Sequence, residues 1–279
     1  MKSAPQRFDE PLPVDVVIPA WGRYLAPARR AMASVPDVSR HIVVTDPGVA
    51  VAPRAGVPLT VVARPDVSLG SARNAGLRQG QAQFVVFLDA DDEMIPGALA
   101  ALVRLARSRP DADVFFGRFR SSGGVRWPSA RSGRLMQTPL ALPLLLSHNT
   151  LPMTGTLLRR RAVPEDLFPS VRSEDWPAAV RMRARSRVVF LDRAVVDYAT
   201  HLGSRSRSRI ARAEIVATRA ELLPAVVRER GAPRFWRTVD RIADRRRRRL
   251  DAGLAGYDNV PAGPGPGQVS GPARRFVAD

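Results

Sequence analysis

Over the first half of the chain, short apolar runs alternate with stretches in which apolar positions recur at helical spacing. That alternation is the mark of a mainly parallel sheet covered by helices. Val14 to Pro19 is a β-branched run closed by proline and predicts a buried strand. His41 to Thr45 and Leu59 to Ala63 predict a second and a third. Phe84 to Leu88 is apolar at every position, which predicts a central strand, and Val114 to Phe119 predicts another. Helices are expected between them. One is at Leu25 to Val35. Another is at Ser71 to Gly80, opened by Ser68 or Ser71 and closed by Gly80. A third, at Pro96 to Ser108, has proline in its first turn and Arg107 near its end.

The second half is less regular. Ser121 to Gly133 is rich in Gly, Ser and Arg and predicts a loop or hairpin. Short helices are expected at Thr138 to Ser147 and Glu174 to Arg185, and strands at Thr154 to Arg159, Arg187 to Leu191 and Ala194 to Ala199. Ile210 to Arg230 and Pro233 to Leu250 predict two charged amphipathic helices. Beyond Asp251 the Gly/Pro-rich sequence predicts a disordered tail.

Composition narrows the chemistry. Cysteine is absent from the 279 residues, which excludes disulfides, thiolate nucleophiles and sulfur-ligated zinc. No apolar run is long enough to span a bilayer, and Met1 to Pro13 has no signal-peptide core, so a soluble, cytoplasmic protein is expected. The formal net charge of +18 invites a nucleic-acid or an anionic-membrane reading. Lys2 is the only lysine and aromatics are sparse, which counts against nucleic acid. The excess is concentrated in Arg181 to Arg187 and Arg245 to Arg249. Peripheral contact with an anionic membrane face is therefore the alternative to a solvated basic face.

The sharpest chemical signal is Asp89-Ala90-Asp91-Asp92, at the C-terminal end of an apolar strand, the edge at which open α/β sheets bind ligands. Crowded carboxylates repel, and hard oxygen donors suit Mg²⁺ or Mn²⁺. The alternative is that Asp91 or Asp92 caps the helix opening near Pro96. Three further blocks accompany it: Val14 to Arg23 (VDVVIPAWGR), Ile42 to Gly48 (IVVTDPG) and Leu69 to Gly76 (LGSARNAG).

In this order and spacing the four blocks resemble the family 2 glycosyltransferases of GT-A fold. That pattern has strand ends reading Pro-Thr-Tyr-Asn-Arg and Asp-Asp-Gly-Ser, an Ala-Ala-Arg-Asn-x-Gly helix start and Leu-Asp-x-Asp-Asp. The resemblance covers residues 12 to 205 and implies a Rossmann-like α/β fold with a mixed, mostly parallel central sheet flanked by helices, plus a C-terminal helical extension. It divides the chain into an arm (1–12), a transferase domain (13–205), C-terminal helices (206–250) and a tail (251–279). Within the domain, 13–120 is the nucleotide-sugar-binding half and 121–205 the acceptor half.

The resemblance implies inverting transfer of a sugar from a nucleotide-diphosphate sugar to an acceptor hydroxyl, assisted by Mg²⁺ or Mn²⁺. Pro19, Ala20, Trp21 and Arg23 would line the base pocket, with Asp46 recognising the base; Ala20, Gly22 and Pro47 depart from the pattern. Arg73 would sit near the diphosphate or the acids, and Asp89 and Ala90 near the ribose. Asp91 would bind metal, assisted by Asp92 and His201. Ser173-Glu174-Asp175-Trp176 resembles the Glu-Asp motif that opens a helix in the acceptor half, with Asp175 as general base; capping by Ser173 is the alternative. Glu174, Trp176, Thr154 and Gly155 would shape the acceptor pocket, as would the segment Asn149 to Arg160. Arg205 and Arg207, with Arg209, would close over the diphosphate. His41 and His148 read as structural. A non-catalytic nucleotide-sugar binder and a basic nucleic-acid binder are the alternatives from other classes.

Overall fold

The computed structural model describes residues 11–199, apart from 54, 55, 67, 122, 123, 125, 148 and 172. The expected arm (up to residue 10), the C-terminal helices, the tail, and His201, Arg205, Arg207 and Arg209 lie outside the described residues.

In chain order the strands are β1 (Leu12–Pro19), β2 (Val38–Thr45), β3 (Leu59–Ala63), β4 (Phe84–Phe87), β5 (Glu93–Met94), β6 (Val114–Ser121), β7 (Arg126–Trp127), β8 (Leu157–Arg159) and β9 (Val188–Tyr198). The helices are α1 (Leu25–Ala33), α2 (Leu69–Gln79), α3 (Ala98–Ser108), α4 (Ala130–Leu135), α5 (Ala141–Ser147) and α6 (Asp175–Arg185). The strands form one mixed sheet ordered β3-β2-β1-β4-β8-β6-β9-β5, with β7 beside β6. The first four strands in that order are parallel, as are β6 and β9. Strand β8 runs antiparallel between β4 and β6 and joins the two halves into one sheet.

Alternation along the strands builds a core on each face. Val14, Val16, Ile18, Phe84 and Val86 pack under α1 and α3 with Met32, Leu99 and Leu102. Val17, Ile42, Val44, Val85 and Phe87 pack on the other face with Ala72, Leu77, Phe168 and Trp176. Helix α2 approaches closely because Gly76 is bare: a Cβ there would lie 2.5 Å from Val17 Cγ1.

Several expectations are corrected in detail. The region expected as a loop or hairpin is a hairpin, β6 with β7, followed by α4. The two strands expected between Arg187 and Ala199 are one strand, β9, whose pairing with β6 shifts register around Asp192 and Arg193. Strand β8 begins at Leu157, not Thr154, and Ser68 is the residue that caps α2, accepting from the Ser71 amide at 3.3 Å. His41 is buried with its Nε2 3.0 Å from the Val35 carbonyl, a structural role as expected.

Candidate active site

Parallel pairing decides which side chains meet. Pro19 pairs with Val44, Thr45 with Ala63, and Val17 with Phe87. The residues that follow these strand ends, Trp21, Asp46, Arg64 and Asp89, therefore emerge along one edge of the sheet.

At the centre lies Arg73 on α2, only 2% exposed. Its Nη2 donates to Asp89 Oδ1 at 2.5 Å and its Nη1 to Glu174 Oε1 at 2.6 Å. The guanidinium rests 5.1 Å over the Phe168 ring, which in turn meets Phe87 edge-on at 4.7 Å. Burial works against the Arg73 charge, but Asp89, Glu174 and Asp175 overcome it and hold the group above its ordinary pKa. The neighbouring Asn74 side chain donates to the Phe168 carbonyl (2.7 Å) and accepts from the Phe168 amide (3.1 Å). Gly70 allows this approach, since a Cβ there would lie 2.3 Å from the Pro169 carbonyl oxygen. The Ala-Arg-Asn sequence thus ties the acceptor half to the acidic strand end.

Asp175 opens α6 beside this cluster. Its Oδ2 accepts from Asn149 Nδ2 at 2.8 Å. Burial raises its pKa, as does Asp89, against the lowering effect of Arg73. Ser173 is not the cap: the N-cap position is Glu174, whose side chain makes no cap hydrogen bond, while the Asp175 carboxylate accepts from the backbone amides of the first turn. Nor do Asp91 or Asp92 cap α3, whose N-cap is Gly97 with φ +74°.

Asp92 is turned inward rather than toward the edge. Its Oδ1 accepts from the Ala199 amide at 3.0 Å and its Oδ2 from the Thr154 hydroxyl at 3.2 Å. That hydroxyl accepts from the Asp89 amide at 3.1 Å. Burial, with the charges of Asp89 and Asp91, pushes the Asp92 carboxyl well up. Gly155, at φ +67°, donates its amide to the Phe87 carbonyl and packs against Val196. Thr154, Gly155 and Asp92 therefore brace the acidic turn, and Asp89 and Asp91 remain half-buried.

Glu174 and Trp176, expected in the acceptor pocket, are buried. Glu174 pairs with Arg73, and the Trp176 indole donates to the Leu145 carbonyl at 2.6 Å. Asn149 reaches Asp175, but the far end of the segment expected to shape that pocket does not. Arg159 Nη2 donates to the Ala106 carbonyl, near the C-terminal end of α3, and Arg160 pairs with the buried Asp15 at 2.8 Å. Both lie at the opposite end of β4, where Arg159 pairs with Phe84.

Pro19 and Ala20 are buried at the end of β1, where the Ala20 amide donates to the Val44 carbonyl. Arg23 is exposed, over the Tyr24 ring. Trp21 is half-buried, with Arg64 over its ring, and Arg64 also pairs with Asp46. Arg64 was not singled out by any motif; its only signal was its position directly after the third apolar run.

The half-buried carboxylates of Asp89 and Asp91 are hard oxygen donors suited to Mg²⁺ or Mn²⁺, ions that complete their shells on substrate phosphate. Among the described residues no group of three or more His, Asp or Glu side chains is arranged to hold a metal by itself.

The sequence pattern of glycosyl transferase family 2 matches residues 15–168, which hold the β1 to β4 edge, Arg73 and the acidic turn. The chain belongs to that family. Glycosyltransferases of Mycobacterium bovis and Mycobacterium tuberculosis are each 34% identical to it over 189 residues, spanning 63% of this chain and 81% of theirs. This transferase also shares its fold with TarS of S. aureus. The TarS 1–349 structure with UDP-GlcNAc superposes with a TM-score of 0.60 at 18% identity, covering 82% of this chain and 70% of that one. The same fragment with UDP gives 0.52 at 17% identity, covering 75% and 65%. The shared fold is the GT-A arrangement of a mixed, mostly parallel sheet between helices.

Proposed function

We propose that this glycosyltransferase moves a sugar, with inversion, from a nucleotide-diphosphate sugar to an acceptor hydroxyl, and that Asp175 is the general base. The observation that carries this reading is Arg73, whose guanidinium joins Asp89 at the end of β4 to Glu174, the residue before Asp175. One buried cation thereby sets the base in register with the acidic edge. The crystallised TarS fragment with UDP-GlcNAc supports a nucleotide-sugar donor.

In this mechanism Trp21 and Asp46 receive the base and Asp89 lies by the ribose. Asp175, held by Asn149, takes the proton from the acceptor hydroxyl as that oxygen forms its bond to the anomeric carbon. The bond from the anomeric carbon to the diphosphate breaks on the opposite face, releasing the nucleoside diphosphate without a covalent intermediate on the enzyme. Burial raises the Asp175 pKa and so strengthens it as a base, while the Arg73 charge opposes that rise. Asp91 would hold a Mg²⁺ or Mn²⁺ ion, whose contribution is Lewis-acid neutralisation of the leaving diphosphate. Arg205, Arg207 and His201 are proposed to approach the diphosphate from the segment following β9.

Nucleoside diphosphate release from a panel of nucleotide sugars, with and without saccharide and lipid-linked acceptors, tests this reading. Asp175→Asn should cut turnover about a hundred- to ten-thousand-fold while donor affinity is retained. Turnover that survives the substitution would remove Asp175 from this role. Donor binding without turnover in the unsubstituted chain would favour a non-catalytic binder.

A further inference from the structure

Trp21, Asp46 and Arg64 follow three different strands and form one cluster. Thr45 and Ala63 are register partners, and the Arg64 amide donates to the Thr45 carbonyl at 2.8 Å, so Asp46 and Arg64 leave the sheet side by side. Arg64 Nε donates to Asp46 Oδ1. The guanidinium lies 5.1 Å from the centroid of the Trp21 ring, and its Nη1 donates to the Asp66 carbonyl at 2.8 Å. Asp66 in turn accepts from the amide of Ser68, the α2 cap, at 2.6 Å. Among the described residues Arg64 Nη2 takes no hydrogen bond. The ion pair is not sealed in the core: the side chains are 19% and 34% exposed.

Three residues on this edge lack the polar groups of the family pattern: Ala20, Gly22 and Pro47. Arg64 brings to the same edge a rigid donor fork that none of them supplies. On the donor-sugar reading proposed above, we infer that Arg64 is a specificity-determining residue for the donor's base. It covers one face of Trp21 and engages one oxygen of Asp46. The base is then received beside the indole, against a hydrogen-bond donor from Arg64 next to an acceptor from Asp46.

A lone carboxylate would accept from a ring N–H and repel neighbouring acceptors. Paired with a guanidinium whose Nη2 is left to donate, it can read an N–H beside a carbonyl oxygen: Asp46 accepts from the N–H and Arg64 donates to the oxygen. Uracil, thymine and guanine present that edge. Adenine has no carbonyl oxygen. The ligand class is therefore a diphosphate of a nucleobase with a ring N–H beside a carbonyl oxygen, and a half-buried donor facing no acceptor, once the base covers it, would penalise ADP.

Calorimetric titration of the full chain with UDP, TDP, GDP and ADP, each with Mn²⁺, separates the outcomes. The unsubstituted protein should bind at least one carbonyl-bearing nucleotide about tenfold or more tighter than ADP. Arg64→Ala should weaken that nucleotide and reduce its advantage over ADP by about tenfold. Arg64→Lys, which keeps the charge but not the planar fork, should restore affinity more than selectivity. A purely structural Arg64 would lower thermal stability without moving the affinity ratio. An unchanged ratio in both variants, or a preference for ADP, overturns the inference. Absence of binding by every nucleotide to the unsubstituted chain overturns the donor reading on which it rests.

Discussion

At Asp175 two opposing influences decide the useful pH range. Burial and the Asp89 charge raise its pKa, and Arg73 lowers it. The base works deprotonated, so activity should fall as pH drops through a pKa above the ordinary aspartate value of about 3.9. A kcat/KM profile for donor consumption is expected to show this acid limb, and residual activity of Asp175→Asn should lack it. A limb unchanged in that variant would belong to another group. The acids and Arg73 were legible in the sequence because they sit in contiguous blocks. Arg64 was not, because its pairing with Asp46 arises from the β2–β3 register, which no local motif encodes. The inward role of Asp92 was hidden for the same reason: its partners are 62 and 107 residues away.

Among the elements, the apolar strands β1, β2 and β4 were readable because the core packs on both of their faces, whereas the edge strand β3 was readable from its β-branched run although it is part-exposed, Val61 by 44%. Strands β5 and β7, two residues each, exist only because β9 and β6 supply their partners, so no local pattern announces them. Strand β9 runs through polar Asp192 and Arg193 because Asp192 pairs with Arg118 on β6. The loop before β8 matters most to the site, through the Thr154 hydroxyl that joins the Asp89 amide to Asp92. Thr154→Val keeps the shape and removes that bridge. It should cost about 1–3 kcal/mol, read as a lower urea midpoint, and raise KM for the donor more than it lowers kcat. An unchanged midpoint and KM would mean that the bridge does not hold the turn.

For the whole molecule, one sheet spans both halves, and Arg73 and Asn74 fasten them on the face covered by α2 and α6. Among the described residues no helix is long and apolar enough to cross a membrane. Of the two arginine segments behind the expected contact with an anionic membrane face, Arg245 to Arg249 lies outside the described residues, and in the other Arg181 and Arg183 donate to backbone carbonyls while Arg187 pairs with Asp111. The arrangement makes donor, metal and base separable by experiment. Ligands that bind only the folded state raise its melting temperature. Thermal stability should therefore be measured with each nucleoside diphosphate, with and without Mn²⁺, for the unsubstituted chain, Asp91→Asn and Asp175→Asn. The expected result is a Mn²⁺-dependent rise with at least one nucleotide, lost in Asp91→Asn and retained in Asp175→Asn. No rise with any nucleotide, or the same Mn²⁺-dependent rise in Asp91→Asn, would contradict a nucleotide-sugar site assembled on the acidic end of β4.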